Sequence, residues 1–460
     1  MRVTRTSLTS FLHIFKGNVG PGCLALPCAF SSMPVPLAVC AVTFVAVLTS
    51  LNSLTLTRLV PHRACLTYSE LGKLRDDLRG TGSRCGEKLV TMSILLQQLS
   101  ICCVYFSFVA DNLSNLSVWG DMGGQSDEER SICLKLRKII VMSAMYPVVC
   151  IWVSKVKSLS DLAWMSKYAT AVLLFSFFMI ILTTSCGIIN IDASDGGEGE
   201  GGGVDDDSPP NYITLILGFT AVLYSFEGVC LVLPVYNSTP QKATFPGLFC
   251  STMVTVAATY LGFGFYCVAA FGKVDNGSIT AFMSAHASGR RQWLVQVLSI
   301  MLAVVVLATY PLQFFPVTEI LEEHVGGVDS KSQSPDDYYV KLDSNSEQVE
   351  DGNSEQVEEE VDDTVHSVVS SNDTLGRSAV AKILLVTFTY LLAMLVPSLS
   401  LLISLAGSVA GSLVALILPG LLHRSIKGRS LFGDLVILIG FTIMIVGAWV
   451  SVSEIIRVLL

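Results

Sequence analysis

Residues 11–30 read FLHIFKGNVGPGCLALPCAF, and this stretch decides the fold. It is long and apolar enough to cross a membrane, yet Gly17, Gly20, Pro21 and Gly22 lie together near its middle. Glycine lowers helix propensity and proline removes a hydrogen-bond donor, so the sequence predicts a helix that is broken near its centre. Broken backbone at membrane depth occurs beside buried cavities, where free amides and carbonyls bind polar solutes. Close packing of small residues against another helix is the alternative.

Apolar runs of similar length recur along the whole chain. Hydrophobic residues make up 51% of the 460 residues and charged residues 15%, against about 25% in a typical soluble domain. The runs lie at 8–30, 36–59, 89–116, 133–153, 162–189, 212–235, 246–272, 292–318, 379–402, 403–422 and 431–453. We divide 379–422 at Pro397, because 44 residues exceed one crossing and proline interrupts a helix. The sequence therefore predicts one all-α integral membrane domain over 1–460, with about eleven transmembrane helices.

Two acidic stretches separate the spans. Residues 192–207 contain 7 acidic and no basic residues, and residues 319–378 contain 17 acidic and 3 basic residues. Such composition does not fold, so the loops 190–210 and 322–378 are predicted to be disordered. With the N-terminus in the cytoplasm, the inner segments hold 15 lysines and arginines and the outer ones 8, as the positive-inside rule requires. The basic cluster at 135–138, at an outer helix start, goes against this rule. The first acidic loop is thus expected outside and the second in the cytoplasm.

Several function classes lack their sequence signals. The 13 cysteines have no spacing typical of a zinc or redox site, and the sequence has neither a nucleotide loop nor a nucleophile elbow. The basic residues are scattered at helix ends and form no patch for nucleic acid. The sequence therefore predicts neither an enzyme nor a metal site.

The segment 219–240, FTAVLYSFEGVCLVLPVYNSTP, contains an acidic residue at mid-span. Glu227 is followed directly by Gly228 and later by Pro234, whereas the other acidic residues near the spans fall at or near their ends. A carboxylate at this depth is costly unless it is protonated or partnered. We interpret Glu227 as a site for a proton or a substrate amine, beside a second helix break. A neutral carboxyl that only fixes a bend is the alternative.

Two further segments place polar groups at membrane depth. In TYPLQFFPVTEILE, 309–322, Tyr310 and Gln313 are candidates for lining a cavity, with core packing an equal alternative for each. In the stretch 398–424, four serines recur at four-residue spacing beside two glycines, which puts their hydroxyls on one helix face. Close helix packing is the favoured interpretation of that face. Its residues are Ser400, Ser404, Ser408 and Ser412, with Gly407 and Gly411.

In order along the chain, these segments resemble the amino acid/auxin permease superfamily, specifically its proton-coupled and vacuolar amino acid transporter branch. HIFKGNVGPGCLALPCAF, FEGVCLVLPVYN, YPLQFFPVTEIL and ISLAGSVAGSLVALILPGLL are similar to the family's first, sixth, eighth and tenth helices. The resemblance runs from about residue 7 to 455, without the acidic loops. It implies a LeuT-like 5+5 inverted repeat, with a first half at 7–189, a second half at 211–422 and an eleventh helix at 431–453.

The resemblance also implies that helices one and six are unwound to bind substrate. Its matching substrate-binding residues are Gly17, Asn18, Val19, Gly20, Gly22, Phe226 and Gly228, to which Tyr310 is added from its position at depth. The proton-coupling residues are Glu227 and His13, the latter matching a histidine that the branch places one turn before its lysine-glycine pair. Pro21 departs from the family, which often has threonine or alanine there, and the acidic insert before helix nine is unusual. The first departure leaves the substrate range open.

The function that follows is proton-coupled symport of small neutral amino acids such as glycine, alanine or proline, with the proton as coupling ion and no other cofactor. Two alternatives stay open. One is a sensor or scaffold that binds amino acid with little transport, and the other is a transporter of auxin-like or larger amino acids. The expected location is a vacuolar, lysosomal or plasma membrane. The expected partners are the amino acid, the lipid bilayer and a regulatory partner at 322–378, but no nucleic acid.

Overall fold

The computed structural model is almost entirely helical. It describes residues 2–60, 67–79, 84–120, 127–155, 160–187, 190–191, 211–239, 242–274, 276–288, 292–326, 364–396 and 398–459. The first half contains α1 (Arg2–Asn18), a 3-10 helix (Pro21–Ala25), α2 (Leu26–Ser31), α3 (Val35–Thr57), α4 (Tyr68–Arg79), α5 (Cys85–Ser114), a 3-10 turn (Ser117–Trp119), α6 (Asp127–Lys155) and α7 (Ser160–Ser185).

The second half begins with another interrupted helix. It contains α8 (Tyr212–Ser225), a 3-10 helix (Glu227–Leu231), α9 (Val232–Ser238), α10 (Phe245–Phe271), α11 (Ile279–His286), α12 (Gln292–Gly326), α13 (Thr364–Leu395), α14 (Leu399–Ala406), two π-helical stretches (Gly407–Gly411 and Leu413–Ile417), α15 (Leu418–Ile426) and α16 (Leu431–Leu459). Two short strands, Asn190–Ile191 and Ala287–Ser288, pair antiparallel and join the two halves.

Within the described residues, nine helices are long and apolar enough to cross a membrane. They are Val35–Thr57, Cys85–Ser114, Glu129–Lys155, Tyr168–Ser185, Tyr212–Ser238, Phe245–Phe271, Gln292–Leu321, Leu399–Ile426 and Leu431–Leu459. Two shorter apolar helices, Pro21–Ser31 and Ala379–Leu395, fall inside the predicted first and ninth spans. The prediction of an all-α integral membrane protein is confirmed. The total of eleven crossings stays a prediction.

The chain does form two helices around Pro397, as predicted. Helix α13 ends at Leu395, Ser398 has extended backbone (φ −126°, ψ 134°), and α14 begins at Leu399. The predicted boundary at 402–403 was therefore wrong by about one turn at the start of α14 and about two turns at the end of α13. A helix begins at the first residue that regains helical backbone after the interruption. Apolar composition does not show which residue that is.

Several helices extend past the apolar runs that predicted them. Helix α12 continues to Gly326 and α13 begins at Thr364, so both enter the segment 322–378 that was predicted to be a loop. Residues 327–363 of that loop and 192–210 of the outer loop lie outside the described residues. A helix satisfies its backbone hydrogen bonds internally, so it can leave the membrane and continue in water.

The basic cluster that contradicted the charge rule is held by protein groups. The Lys138 ammonium lies 2.5 Å from the Asp111 carboxylate, at the end of α5. Arg137 donates to the carbonyl of Trp119 over 3.0 Å and lies above the ring of the same residue. Arg137 and Lys138 thus have structural partners within the protein, and the orientation of the chain stays a prediction.

One hydrophobic core connects both halves, and close helix approaches shape it. Helices α5 and α12 pack along each other at its centre, while α14 and the first π-helical stretch pack on α8. Ser404 donates to the Leu217 carbonyl over 2.8 Å, and a Cβ added at Gly407 would collide with the Thr220 carbonyl oxygen. The serine-glycine face of the tenth span is therefore a packing surface, as the sequence favoured.

Candidate functional site

The first span is broken at the predicted place. Helix α1 ends at Asn18, Gly20 is extended (φ −120°, ψ −165°), and a 3-10 helix begins at Pro21. The Val19 amide still bonds to the Phe15 carbonyl, but the Gly20 amide turns to the carbonyl of Asn18. Proline at the first position of the new segment costs no intrahelical hydrogen bond, since that amide would be unpaired in any case. The glycine-proline cluster thus interrupts the helix and restarts it.

The sixth span is broken in the same manner. Helix α8 ends at Ser225, and Phe226 leaves the helical region with φ −89° and ψ 46°. A 3-10 helix then runs from Glu227 to Leu231, before α9 resumes at Val232. Glu227 is therefore the first residue of the 3-10 helix in this break. The second predicted break is confirmed, and it carries the mid-span carboxylate at its start.

The two breaks lie against each other. A Cβ added at Gly20 would lie 2.9 Å from Oε1 of Glu227, and one added at Gly228 would lie 2.5 Å from Nδ2 of Asn18. The Ser225 hydroxyl is 3.3 Å from the Gly22 carbonyl, to which it donates. Only residues without side chains allow two interrupted backbones to approach so closely. The glycines predicted to bind substrate therefore form the contact between the two spans.

Three other predicted residues complete this contact region. Val19 and Phe226 lie at the two interruptions and are buried, with 4% and 1% exposure. A Cβ added at Gly17 would collide with Leu231 at the end of the second 3-10 helix. The structure thus places seven of the eight predicted substrate-binding residues in or beside the two breaks, and Gly20 lies directly against the Glu227 carboxyl.

The carboxyl of Glu227 has an incomplete set of partners among the described residues. Its Oε2 atom is buried and has no hydrogen-bond partner there, although the residue as a whole keeps partial exposure. The phenols of Tyr224 and Tyr105 lie close enough to act on the carboxyl electrostatically. An unpaired buried carboxyl oxygen is costly, so this atom is suited to receive a proton or a ligand donor.

A tyrosine that the sequence analysis missed joins the two breaks. The Tyr260 hydroxyl, on α10, lies 2.6 Å from the Asn18 carbonyl and 2.7 Å from the Ser225 carbonyl. Its single proton bonds to one of these carbonyls at a time. The ring is fully buried and meets Phe226 edge-on, with centroids 5.1 Å apart. No local sequence signal identifies this residue, because its partners are remote in the chain.

Tyr310 and Gln313 lie on α12 and have different environments. Tyr310 is 1% exposed, and its hydroxyl is 2.9 Å from that of Thr389 on α13. Gln313 instead donates to the Tyr105 hydroxyl over 3.3 Å, and Tyr105 is one of the phenols near Glu227. Of these two α12 side chains, Gln313 is thus the one bonded to a phenol that acts on the Glu227 carboxyl. A direct role for Tyr310 in substrate binding stays a prediction.

His13 is placed on the exposed side of α1. It lies on the segment that precedes the break, as its sequence position requires. Its role in proton coupling stays a prediction.

The sequence profile of a known family spans nearly the whole chain. The profile described as "Transmembrane amino acid transporter protein" matches residues 4–458. The chain belongs to this family. Its members are transporters and not enzymes, in agreement with the lack of enzymatic motifs.

Individual transmembrane amino acid transporters of Arabidopsis thaliana are similar to the chain. Amino acid transporter AVT3B is 27% identical over 327 residues, which cover 70% of this chain and 72% of that protein. Amino acid transporter AVT3C is 26% identical over 333 residues, covering 68% and 69%. Amino acid transporter AVT3A is 24% identical over 461 residues, covering 97% and 89%. The last match includes both broken spans.

Proposed function

We propose that this transmembrane amino acid transporter is a proton-coupled symporter of small neutral amino acids such as glycine, alanine and proline. The observation that supports this most is the position of Glu227. It is the first residue of the 3-10 helix in the sixth-span break, its Oε2 is buried and unpaired among the described residues, and it faces Gly20 of the first-span break. A carboxyl between two interrupted helices can meet both a substrate and a proton.

The two ends of a zwitterionic amino acid fit different parts of the contact region. The helical segment that starts at Pro21 leaves N–H groups of its first turn without intrahelical partners. The Cys23 amide is paired with the Gly20 carbonyl over 3.2 Å, so the Gly22 amide is our candidate for the substrate carboxylate. The substrate amine would approach the carbonyls freed by the sixth-span break. Small side chains are favoured because the two breaks approach so closely that an added Cβ at Gly20 or Gly228 would meet the opposite span.

The paired breaks support the proposed architecture as well. Interruptions in the first and sixth spans, with a substrate between them, are typical of inverted-repeat transporters. We therefore propose the LeuT-like arrangement of 7–189 and 211–422, with a cytoplasmic N-terminus in a vacuolar, lysosomal or plasma membrane. Glu227 and His13 are the proposed proton-coupling groups, and the acidic loop 322–378 is the proposed contact for a regulatory partner.

Uptake into proteoliposomes tests the proposed coupling. Purified protein should take up labelled alanine faster when a pH gradient is imposed than when a protonophore removes it. A sodium gradient without a pH gradient should give no such acceleration. Liposomes without protein serve as the control for leakage. Alanine uptake that is insensitive to the pH gradient would contradict proton coupling, and uptake driven by sodium would assign another ion.

A further inference from the structure

Helix α4, outside the apolar spans, is fixed rigidly to the start of α5. The Asp76 carboxylate accepts from the Gly86 amide, at 3.0 and 2.8 Å, and from the Glu87 amide at 3.1 Å. Lys73 forms an ion pair of 3.1 Å with Glu87. A Cβ added at Gly72 would lie 2.8 Å from the Cα of Glu87, so the two backbones are in contact. The carboxylate also caps a helix N-terminus, where a negative charge is stabilising.

The same helix reaches two other spans. Arg75 donates to the Ser425 hydroxyl at the end of α15 over 3.3 Å. A second hydrophobic cluster, separate from the main core, packs α4 against α3, α5, α9 and α15. Its buried members are Leu56, Leu59, Val60, Tyr68, Leu71, Val90, Leu233, Leu418 and Leu422. Because α4 is anchored on several sides, its first residue has a defined position.

That first residue, Tyr68, touches the broken part of the sixth span. Its hydroxyl donates to the Val229 carbonyl over 2.6 Å, and its ring is 5% exposed. Val229 is inside the 3-10 helix, two residues after Glu227, and its carbonyl also accepts the Val232 amide. The 3-10 helix has weaker hydrogen-bond geometry than an α-helix, so an external donor has a large share in fixing it.

We propose that Tyr68 is a positioning residue for the transport site. It holds the carbonyl of Val229 and thereby sets where the 3-10 helix presents Glu227 to Gly20. The site is thus aligned by a helix that lies outside the apolar spans. The expected effect on transport rests on the proposed function. The contact between Tyr68 and Val229 can be tested without measuring transport.

Cys230 provides a native reporter of this contact. It follows Val229 directly and is partly exposed. If the 3-10 helix leaves Tyr68, the thiol becomes more accessible. Cys85 is exposed at the start of α5, outside the contact, and serves as the internal reference for alkylation.

The experiment compares Tyr68→Phe with Tyr146→Phe in the full chain. Both variants keep the ring and lose a hydroxyl hydrogen bond, since Tyr146 lies 2.8 Å from the Thr387 hydroxyl, between α6 and α13. A neutral hydrogen bond shifts a conformational equilibrium about fivefold. In Tyr68→Phe, N-ethylmaleimide should therefore alkylate Cys230 about fivefold faster, relative to Cys85, as measured by mass spectrometry of the peptides. In Tyr146→Phe the rate should match the parent.

The KM of alanine uptake separates a positioning role from a purely structural one. With Tyr68→Phe we expect KM to rise at least twofold while the maximal rate changes less. Unchanged alkylation of Cys230 would overturn the proposal, and so would faster alkylation with an unchanged KM. If the parent takes up no alanine, the proposed function fails. The alkylation rates would still support or overturn the anchoring of the 3-10 helix by Tyr68.

Discussion

Replacing Gly20 by alanine should abolish most transport without unfolding the protein. The added Cβ would lie 2.9 Å from Oε1 of Glu227, whereas an ordinary contact begins at 3.4 Å, so the carboxyl must move by about 0.5 Å. The obstructing atom is the end of a flexible side chain, and the extended backbone of Gly20 suits alanine. We therefore expect a change in unfolding free energy within about 1 kcal/mol. Since a displacement of 1 Å at a reacting group can lower rates about 100-fold, we expect alanine uptake to fall about tenfold.

The matched control is Gly262→Ala on α10, where an added Cβ would meet no atom within 4 Å. This variant should transport like the parent and gain up to about 1 kcal/mol of stability, because alanine favours a helix over glycine. Initial uptake rates in proteoliposomes and thermal unfolding in detergent measure the two effects. Parental uptake by Gly20→Ala would refute the idea that the two breaks meet at the transport site. Equal loss of uptake in both variants would refute it also.

Three further predictions concern the substrate, the packing and the orientation. Alanine methyl ester should compete with labelled alanine far more weakly than alanine itself, because the ester lacks the carboxylate that a helix start stabilises. Equal competition would rule out the proposed carboxylate site. Gly407→Ala should lower the free energy of unfolding by about 1–3 kcal/mol, because the added Cβ collides with the backbone carbonyl of Thr220. An unchanged temperature in a thermal unfolding scan would contradict this packing. A protease acting from the cytoplasmic face should cut 322–378 and spare 190–210, and the reverse pattern would invert the topology.

The sequence was sufficient to locate the nine long apolar helices of the described residues and both breaks. Bilayer thickness requires long apolar runs, and glycine and proline have strong local effects on helices, so residues 17–22 and 226–228 could be interpreted without any tertiary information. Hydropathy does not report where a helix ends in water. The extension of α12 to Gly326 and the polar helix α4 therefore had no signal in the apolar pattern.

The residues that connect the breaks could not be predicted. Tyr260 and Tyr68 contact carbonyls far away in the chain, and the residues next to a tyrosine in the sequence do not show where its hydroxyl finds a partner. Tyr310 was predicted to bind substrate because it is a polar residue at membrane depth. Its hydroxyl instead lies beside that of Thr389 on the next span. Partners of buried hydroxyls are set by helix packing, which a single sequence does not specify.

The most direct test of the account is alanine accumulation by Glu227→Gln, which imitates the protonated carboxyl. One proton per substrate and a gradient of one pH unit, about 1.4 kcal/mol, allow at most about tenfold accumulation by the parent. Glu454→Gln, one turn before the end of α16, where the carboxylate pairs with the exposed Arg457 over 3.5 Å, makes the same chemical change away from the breaks and should accumulate like the parent. Glu227→Gln should still exchange labelled for unlabelled alanine, with an accumulation ratio near one. If Glu227→Gln accumulates alanine as far as the parent does, Glu227 does not couple the proton to the substrate.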